Sequence, residues 1–147
     1  MKIIAHRANL YGPNPSYENK PESIDYCLER GYDVEVDVRL NTDFYLGHDS
    51  GDYKVDLNWL LNRKEYLWIH CKDINSLQFF VENNFCDLNY FWHQDDSYTL
   101  TSKNIIWAHP KSINYTKNCV IVMPEFKVEE NFYGVCTDYP TYYNIKN

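Results

Sequence analysis

His6, Glu35, Asp37 and His48 follow one another along a chain that reads IIAHR, then DVEVDV, then FYLGHD, and their types and spacing describe acid/base chemistry around a cation. Imidazoles exchange protons near neutral pH. Two carboxylates at i and i+2 of a strand project from one face and can share one hard cation. The expectation is a metal-assisted acid/base site in which Glu35 and Asp37 bind the ion and His6 and His48 move protons.

Such residues need elements to hold them. Strand-like segments rich in β-branched and aromatic residues occur at Lys2–His6, Asp33–Val38, Phe44–His48, Tyr66–Cys71, Asp87–His93, Asn104–Ala108, Cys119–Met123 and Tyr133–Thr137. Helical periodicity marks Glu22–Arg30, closed by Gly31, and Asn75–Asn83, with a weaker stretch at Leu57–Asn62. Eight strands with intervening helices predict an α/β fold, a minimal (β/α)8 TIM-type barrel with several helices shortened or missing, since such barrels usually need about 250 residues. His6, Glu35 with Asp37, His48, His70 with Lys72, His93 and Asp138 then fall at or just past the carboxyl ends of their strands, where barrel active sites are built.

Length and composition set the outer bounds. A chain of 147 residues reads as a single domain, 1–147, with no internal repeat or linker. The formal charge of −7 argues against nucleic acid and anionic membranes as partners and favours a small molecule. Five widely spaced cysteines without a CxxC pair predict reduced, buried thiols and a cytoplasmic protein. No apolar run approaches the roughly 18 residues that a membrane span requires. Nothing in the pattern fixes an oligomeric state.

The ordered succession of His6-Arg7, Pro21-Glu22-Ser23, the run from Gly31 to Val38, His48-Asp49, Ile69-His70-Cys71-Lys72 and Gly134 to Pro140 resembles the glycerophosphodiester phosphodiesterase family. That family shares a superfamily with phosphatidylinositol-specific phospholipase C and sphingomyelinase D. The resemblance runs from Lys2 to Pro140 and is densest before Asp73. It implies a barrel phosphodiesterase acting on a small glycerophosphodiester or related phosphorylated alcohol or sugar, with His6 and His48 as the acid/base pair. It implies one divalent ion, Mg²⁺, Ca²⁺ or Mn²⁺, on Glu35 and Asp37. Where the family places a third metal carboxylate, two residues before a lysine, this chain has His70 ahead of Lys72, and a nitrogen ligand there also admits Zn²⁺. Where the family's opening motif continues with glycine, this chain has Ala8, followed by an insertion-like stretch at Asn9–Tyr17.

The chemistry stands on the residues as well. Arg7 and Lys72 can bind the non-bridging oxygens of a phosphodiester, while one histidine takes the nucleophile's proton and the other protonates the leaving alkoxide. Glu22 is expected to orient a basic residue of the site and Asp138 to fix the last strand or the surroundings of His6, with Asp49 as a further supporting residue. Met singly, each of these has a structural reading, and Glu35 and Asp37 alone read as salt-bridge partners; the ordered set favours the site. His93 and His109 read as structural or surface residues, and Trp68, Trp92 and Trp107 as core. Two alternatives accompany the hydrolase: a lyase that releases a cyclic phosphate, and a degenerate phosphate-binding module.

Overall fold

The computed structural model describes residues 1–143 and contains one mixed sheet of ten strands with three short α-helices. In chain order these are β1 (Lys2–His6), α1 (Pro21–Leu28), β2 (Asp33–Leu40), β3 (Phe44–Leu46), β4 (Tyr53–Val55), α2 (Leu57–Leu61), β5 (Leu67–Cys71), α3 (Ile74–Glu82), β6 (Asn89–Phe91), β7 (Tyr98–Leu100), β8 (Ile106–Ala108), β9 (Cys119–Val122) and β10 (Gly134–Thr137). Parallel pairing links β6 to β5, β5 to β2, β2 to β1, β1 to β10, β10 to β9 and β9 to β8.

The expected (β/α)8 TIM-type barrel is therefore wrong. The Phe44 segment pairs antiparallel with the far end of β2 and continues into β4 as a hairpin, and β7 runs antiparallel on β8. Only residues 41–43 separate β2 from β3, whereas a parallel crossover needs a dozen or more. Helices of 8, 5 and 9 residues follow only β1, β4 and β5. The sheet curls, since Phe91 of β6 and Trp107 of β8 lie 4.7 Å apart although six pairing steps separate their strands. Among the described residues no strand ladder joins those two ends.

Alternation along each strand sorts residues onto two faces. One face carries Val34, Val36, Val38, Leu67, Ile69, Ile3 and Ala5, and packs with Ile24 and Cys27 of α1 and Phe80 of α3 in the larger core. The other presents Ile4, Trp68, Phe91, Trp107, Val120, Val122 and Cys136, a smaller core rich in aromatic rings. The two cores share β1, β5, β9 and β10. The side chains that alternate with the first set and extend the second are polar: Asp33, Glu35 and Asp37 on β2, His6 on β1 and His70 on β5.

The helices are fixed locally. Pro21 opens α1, where its missing N–H is no loss, and Asp56 and Asp73 cap α2 and α3 by accepting from the Trp59 and Ser76 amides at 2.7 Å each. The second oxygen of Asp73 takes the Leu40 amide, which ties the outer end of β2 to α3. Arg63 makes a bidentate pair with Asp25 at 2.7 and 2.9 Å and lies 4.2 Å from the Trp59 ring, joining α2 to α1. All five cysteines are unpaired; four are buried as expected, whereas Cys86 is exposed. Among the described residues no helix is long and apolar enough to cross a membrane.

Candidate active site

Glu35 and Asp37 stand two apart on β2, so both carboxylates point from the same face, and both are almost fully buried. His70 sits beside Asp37 in the β5 register, which brings its ring to the same point. Its Nε2–H donates to the His93 carbonyl at 2.9 Å, and its ring stacks on Phe91 with centroids 5.1 Å apart. That bond turns Nδ1 toward the acids, 3.3 Å from Asp37 Oδ1 and 3.6 Å from Glu35 Oε1. One ligand atom from each of the three residues lies within 4.8 Å of the others.

Asp37 Oδ1 is buried and makes no hydrogen bond, since the approach of His70 lacks hydrogen-bond geometry. Its other oxygen is fully engaged: Asn19 donates to Oδ2 at 2.8 Å while accepting the Asp37 amide at 2.9 Å. Two carboxylate oxygens and an imidazole nitrogen facing one another require a positive species between them, a proton or a metal ion. The donor set of two oxygens and one nitrogen therefore fits a divalent cation, and Glu35, Asp37 and His70 are the residues that would hold it. Without the ion a proton fills the gap. Burial opposes the imidazolium of His70, but the Asp37 and Glu35 carboxylates beside its Nδ1 outweigh it and raise its pKa to about 9. Burial likewise opposes the Asp37 carboxylate, yet His70 and Arg7 hold its pKa well below the ordinary range.

Cationic groups ring the acids. Arg7 Nε lies 3.2 Å from Asp37 Oδ2, its Nη1 donates to Glu18 at 3.3 Å, and its amide donates to Glu35 Oε2 at 3.2 Å. Lys72 reaches Asp37 Oδ1 at 3.8 Å. Both side chains keep some exposure, which leaves them free to meet an anion from outside.

His6 ends β1 with its Nδ1 on Asp138 Oδ1 at 2.8 Å, which directs Nε2 toward Glu35 at 4.0 Å. Burial disfavours the charged ring, but the Asp138 bond and the Glu35 charge prevail, so its pKa is raised above the ordinary histidine value. Of the two roles expected of Asp138, the bond lies on the side of His6. His48 lies just beyond β3, whose hairpin brings the Gly47 amide to within 3.0 Å of the Asp37 carbonyl. The His48 ring, 39% exposed, bonds Asp49 at 2.6 Å and touches none of the other site residues. Gly47, at φ +148°, allows no side chain, because a Cβ would meet the Ser50 carbonyl at 2.0 Å.

Glu22 does not orient a site cation: it is exposed on the first turn of α1, and Glu18 takes the Arg7 guanidinium instead. The sequence reading also missed Asn9 and Asn19. Asn9 donates to Asp138 at 2.8 Å and to Glu18 at 3.0 Å, linking the partners of His6 and Arg7. Asn19 adopts φ +57° before α1. Its signal was an asparagine, one of the few side-chain-bearing residues at home in that conformation, immediately upstream of a helix start. No protein-family model, curated protein or solved structure matches the chain.

Proposed function

We propose that the protein is a metal-dependent phosphodiesterase acting on a small glycerophosphodiester or a related ester of a phosphorylated alcohol or sugar. The observation that carries this reading is the unpartnered, buried Asp37 Oδ1, which faces Glu35 and His70 Nδ1 while Arg7 and Lys72 flank the same point. The likeness of the ordered motifs to the glycerophosphodiester phosphodiesterases points the same way.

In this mechanism Arg7 and Lys72 bind the non-bridging oxygens of the diester and orient phosphorus over the acids. Glu35, Asp37 and His70 would hold a divalent ion, which when bound would offset the negative charge of the phosphodiester. His6, held by Asp138 in the tautomer with Nδ1–H, uses Nε2 to take the proton of the attacking hydroxyl or water. His48, braced by Asp49, turns inward to protonate the leaving alkoxide. The burial of Glu35 and Asp37 keeps the local dielectric low and strengthens each of these interactions.

The test is a screen of simple phosphodiesters with Mg²⁺, Ca²⁺, Mn²⁺ and Zn²⁺, read by phosphorus NMR. Hydrolysis to a monoester in the presence of one of these metals is the expected result, and a stable cyclic phosphate would identify the lyase instead. Absence of turnover with every metal and ester overturns the reading.

A further inference from the structure

The stretch Asn9–Tyr17, which the phosphodiesterase motifs leave unexplained, forms one wall of a cleft of about 450 Å³ whose other wall is the start of α1. Tyr11, Tyr17 and Tyr26 line it at 75%, 57% and 44% exposure, alongside Lys20, Glu22 and Asn14. Three large rings grouped in a concave site are an unusual amount of apolar surface to leave in water. The Tyr11 and Tyr17 rings are the most exposed of the three and stack on no other aromatic ring among the described residues, whereas the Arg30 guanidinium covers one face of Tyr26, 3.2 Å from its centroid.

The wall is already rigid. Asn9 accepts the Asn14 amide at 3.0 Å, the Gly12 amide donates to the Asp138 carbonyl at 2.9 Å, and Thr141 donates to the Leu10 carbonyl at 3.0 Å. At Gly12, φ +120°, a Cβ would come within 3.1 Å of the Tyr139 ring, so the loop packs closely on the residue after Asp138. Asn9, only 3% exposed, lines this cleft and with the same side chain bonds Asp138, the partner of His6. Cleft and acid/base site thus share one wall.

We propose that this cleft is the subsite for the alcohol arm of the substrate, and that the arm is a sugar ring. Tyrosine faces pack on the C–H faces of a sugar, while Lys20, Glu22 and Asn14 supply the mixed donors and acceptors that ring hydroxyls require. The placement beside phosphate chemistry rests on the phosphodiesterase reading; the affinity for sugar does not.

The experiment is therefore in two arms. In the first, methyl glucoside, methyl galactoside, glycerol and uridine are titrated into the full chain and the tyrosine ring resonances followed by NMR. A glycoside should shift them, and Tyr11→Ala and Tyr17→Ala should each weaken its Kd at least tenfold with the fold intact by circular dichroism. Lack of glycoside binding, or tighter binding of uridine or glycerol, overturns the sugar assignment. In the second arm, Tyr11→Ala should raise KM for a glucosyl methyl phosphodiester at least tenfold more than KM for dimethyl phosphate; equal effects on both overturn the subsite. If the chain binds glycoside but cleaves no diester, the phosphodiesterase reading falls and the sugar site stands. If it cleaves diesters but binds no glycoside, the sugar site alone falls.

Discussion

Asp33 and Asp37 lie on the same face of β2, four residues apart, and both are buried, yet they are opposite kinds of acid. Asp33 is finished: Lys2 donates to one oxygen at 3.1 Å and the Trp68 indole to the other at 3.0 Å. Burial raises its pKa despite both partners. Asp37 is unfinished. It has more positive neighbours than any one of them can satisfy, its pKa is depressed, and one oxygen remains without a hydrogen bond. Burial alone therefore does not mark a functional carboxylate. The mark is a buried lone pair that the protein has surrounded and left unused.

The largest expected effect breaks the comparison at Asp37. Asp37→Asn should abolish divalent-metal binding by calorimetry and lower turnover on the order of 10⁴-fold or more, several kcal/mol of lost charge stabilisation. Asp33→Asn, the matching change at the other end, should leave both properties as they are. Equal losses in the two variants would place Asp37 among the structural acids.

His6→Ala comes next, with turnover reduced about 10²–10⁴-fold while metal affinity holds, as suits a proton-transfer group beside the cation rather than on it. His48→Ala should fall toward the lower end of that range, because its ring must first leave Asp49. A His48→Ala enzyme with unaltered kinetics on alkyl esters would remove it from the mechanism.

Stability keeps the ranking of the two ends. Asp33→Ala leaves the Trp68 N–H and Lys2 without an acceptor and should cost about 1–3 kcal/mol in urea unfolding. In metal-free protein Asp37→Ala removes the carboxylate that His70 and Arg7 hold ionised, breaks its paired bonds with Asn19 and leaves the surrounding cations unbalanced, so its loss should be the larger of the two.

Much of this was legible beforehand, for identifiable reasons. Seven of the eight expected segments lie as parallel strands in one sheet, because short runs rich in β-branched residues such as Val34, Val36 and Val38, separated by long connections, are strands that hairpins cannot join. The barrel was not legible, and the evidence against it was a length: the short link at 41–43 forces a hairpin whatever the composition of Phe44–His48. The grouping of His6, Arg7, Glu35, Asp37, His70 and Lys72 followed from strand ends in register. Glu18, Asn9 and Asn19 did not, because their roles depend on how a loop folds back over the sheet, which no periodicity encodes. The same limit applied to Glu22, whose expected contact with a site cation is made by Glu18 instead.

A gentler probe is pH. With its folded pKa raised to about 9 against an ordinary 6.5, His70 stabilises the metal-free fold fully below the lower value and progressively less as pH rises through the upper one. Metal binding has the opposite slope, since the cation must displace that proton, and affinity should climb between roughly pH 6.5 and 9. Calorimetry in buffers of different ionisation enthalpy should register about one proton released per ion below pH 8. Release of none, with affinity flat across this window, would remove His70 from the ligand set and leave Glu35 and Asp37.

The smallest effect sharpens the comparison through the backbone. At the Asp33 end the left-handed positions are Asn84, before β6, and Asn104, before β8, residues that tolerate this conformation. At the site end Asn19 at φ +57° is of the same kind, but Arg7 at φ +51°, Ala8 at φ +67° and Met123 at φ +47° are not. Ala8 occupies a left-handed position that glycine would suit better. An alanine held there costs roughly 1–2 kcal/mol relative to its right-handed form. Ala8→Gly relieves that strain but loosens the unfolded chain by about 0.5–1 kcal/mol and gives up a buried methyl group, so the terms nearly cancel. Ala5→Gly, three residues earlier in the fully buried centre of β1, has no strain to relieve and should cost about 1 kcal/mol or more. Urea midpoints for the two variants decide the matter: near-zero change at Ala8 beside a clear loss at Ala5 locates stored strain at the Arg7–Ala8 turn that delivers the Arg7 amide to Glu35, whereas equal losses would mean that the turn is not strained.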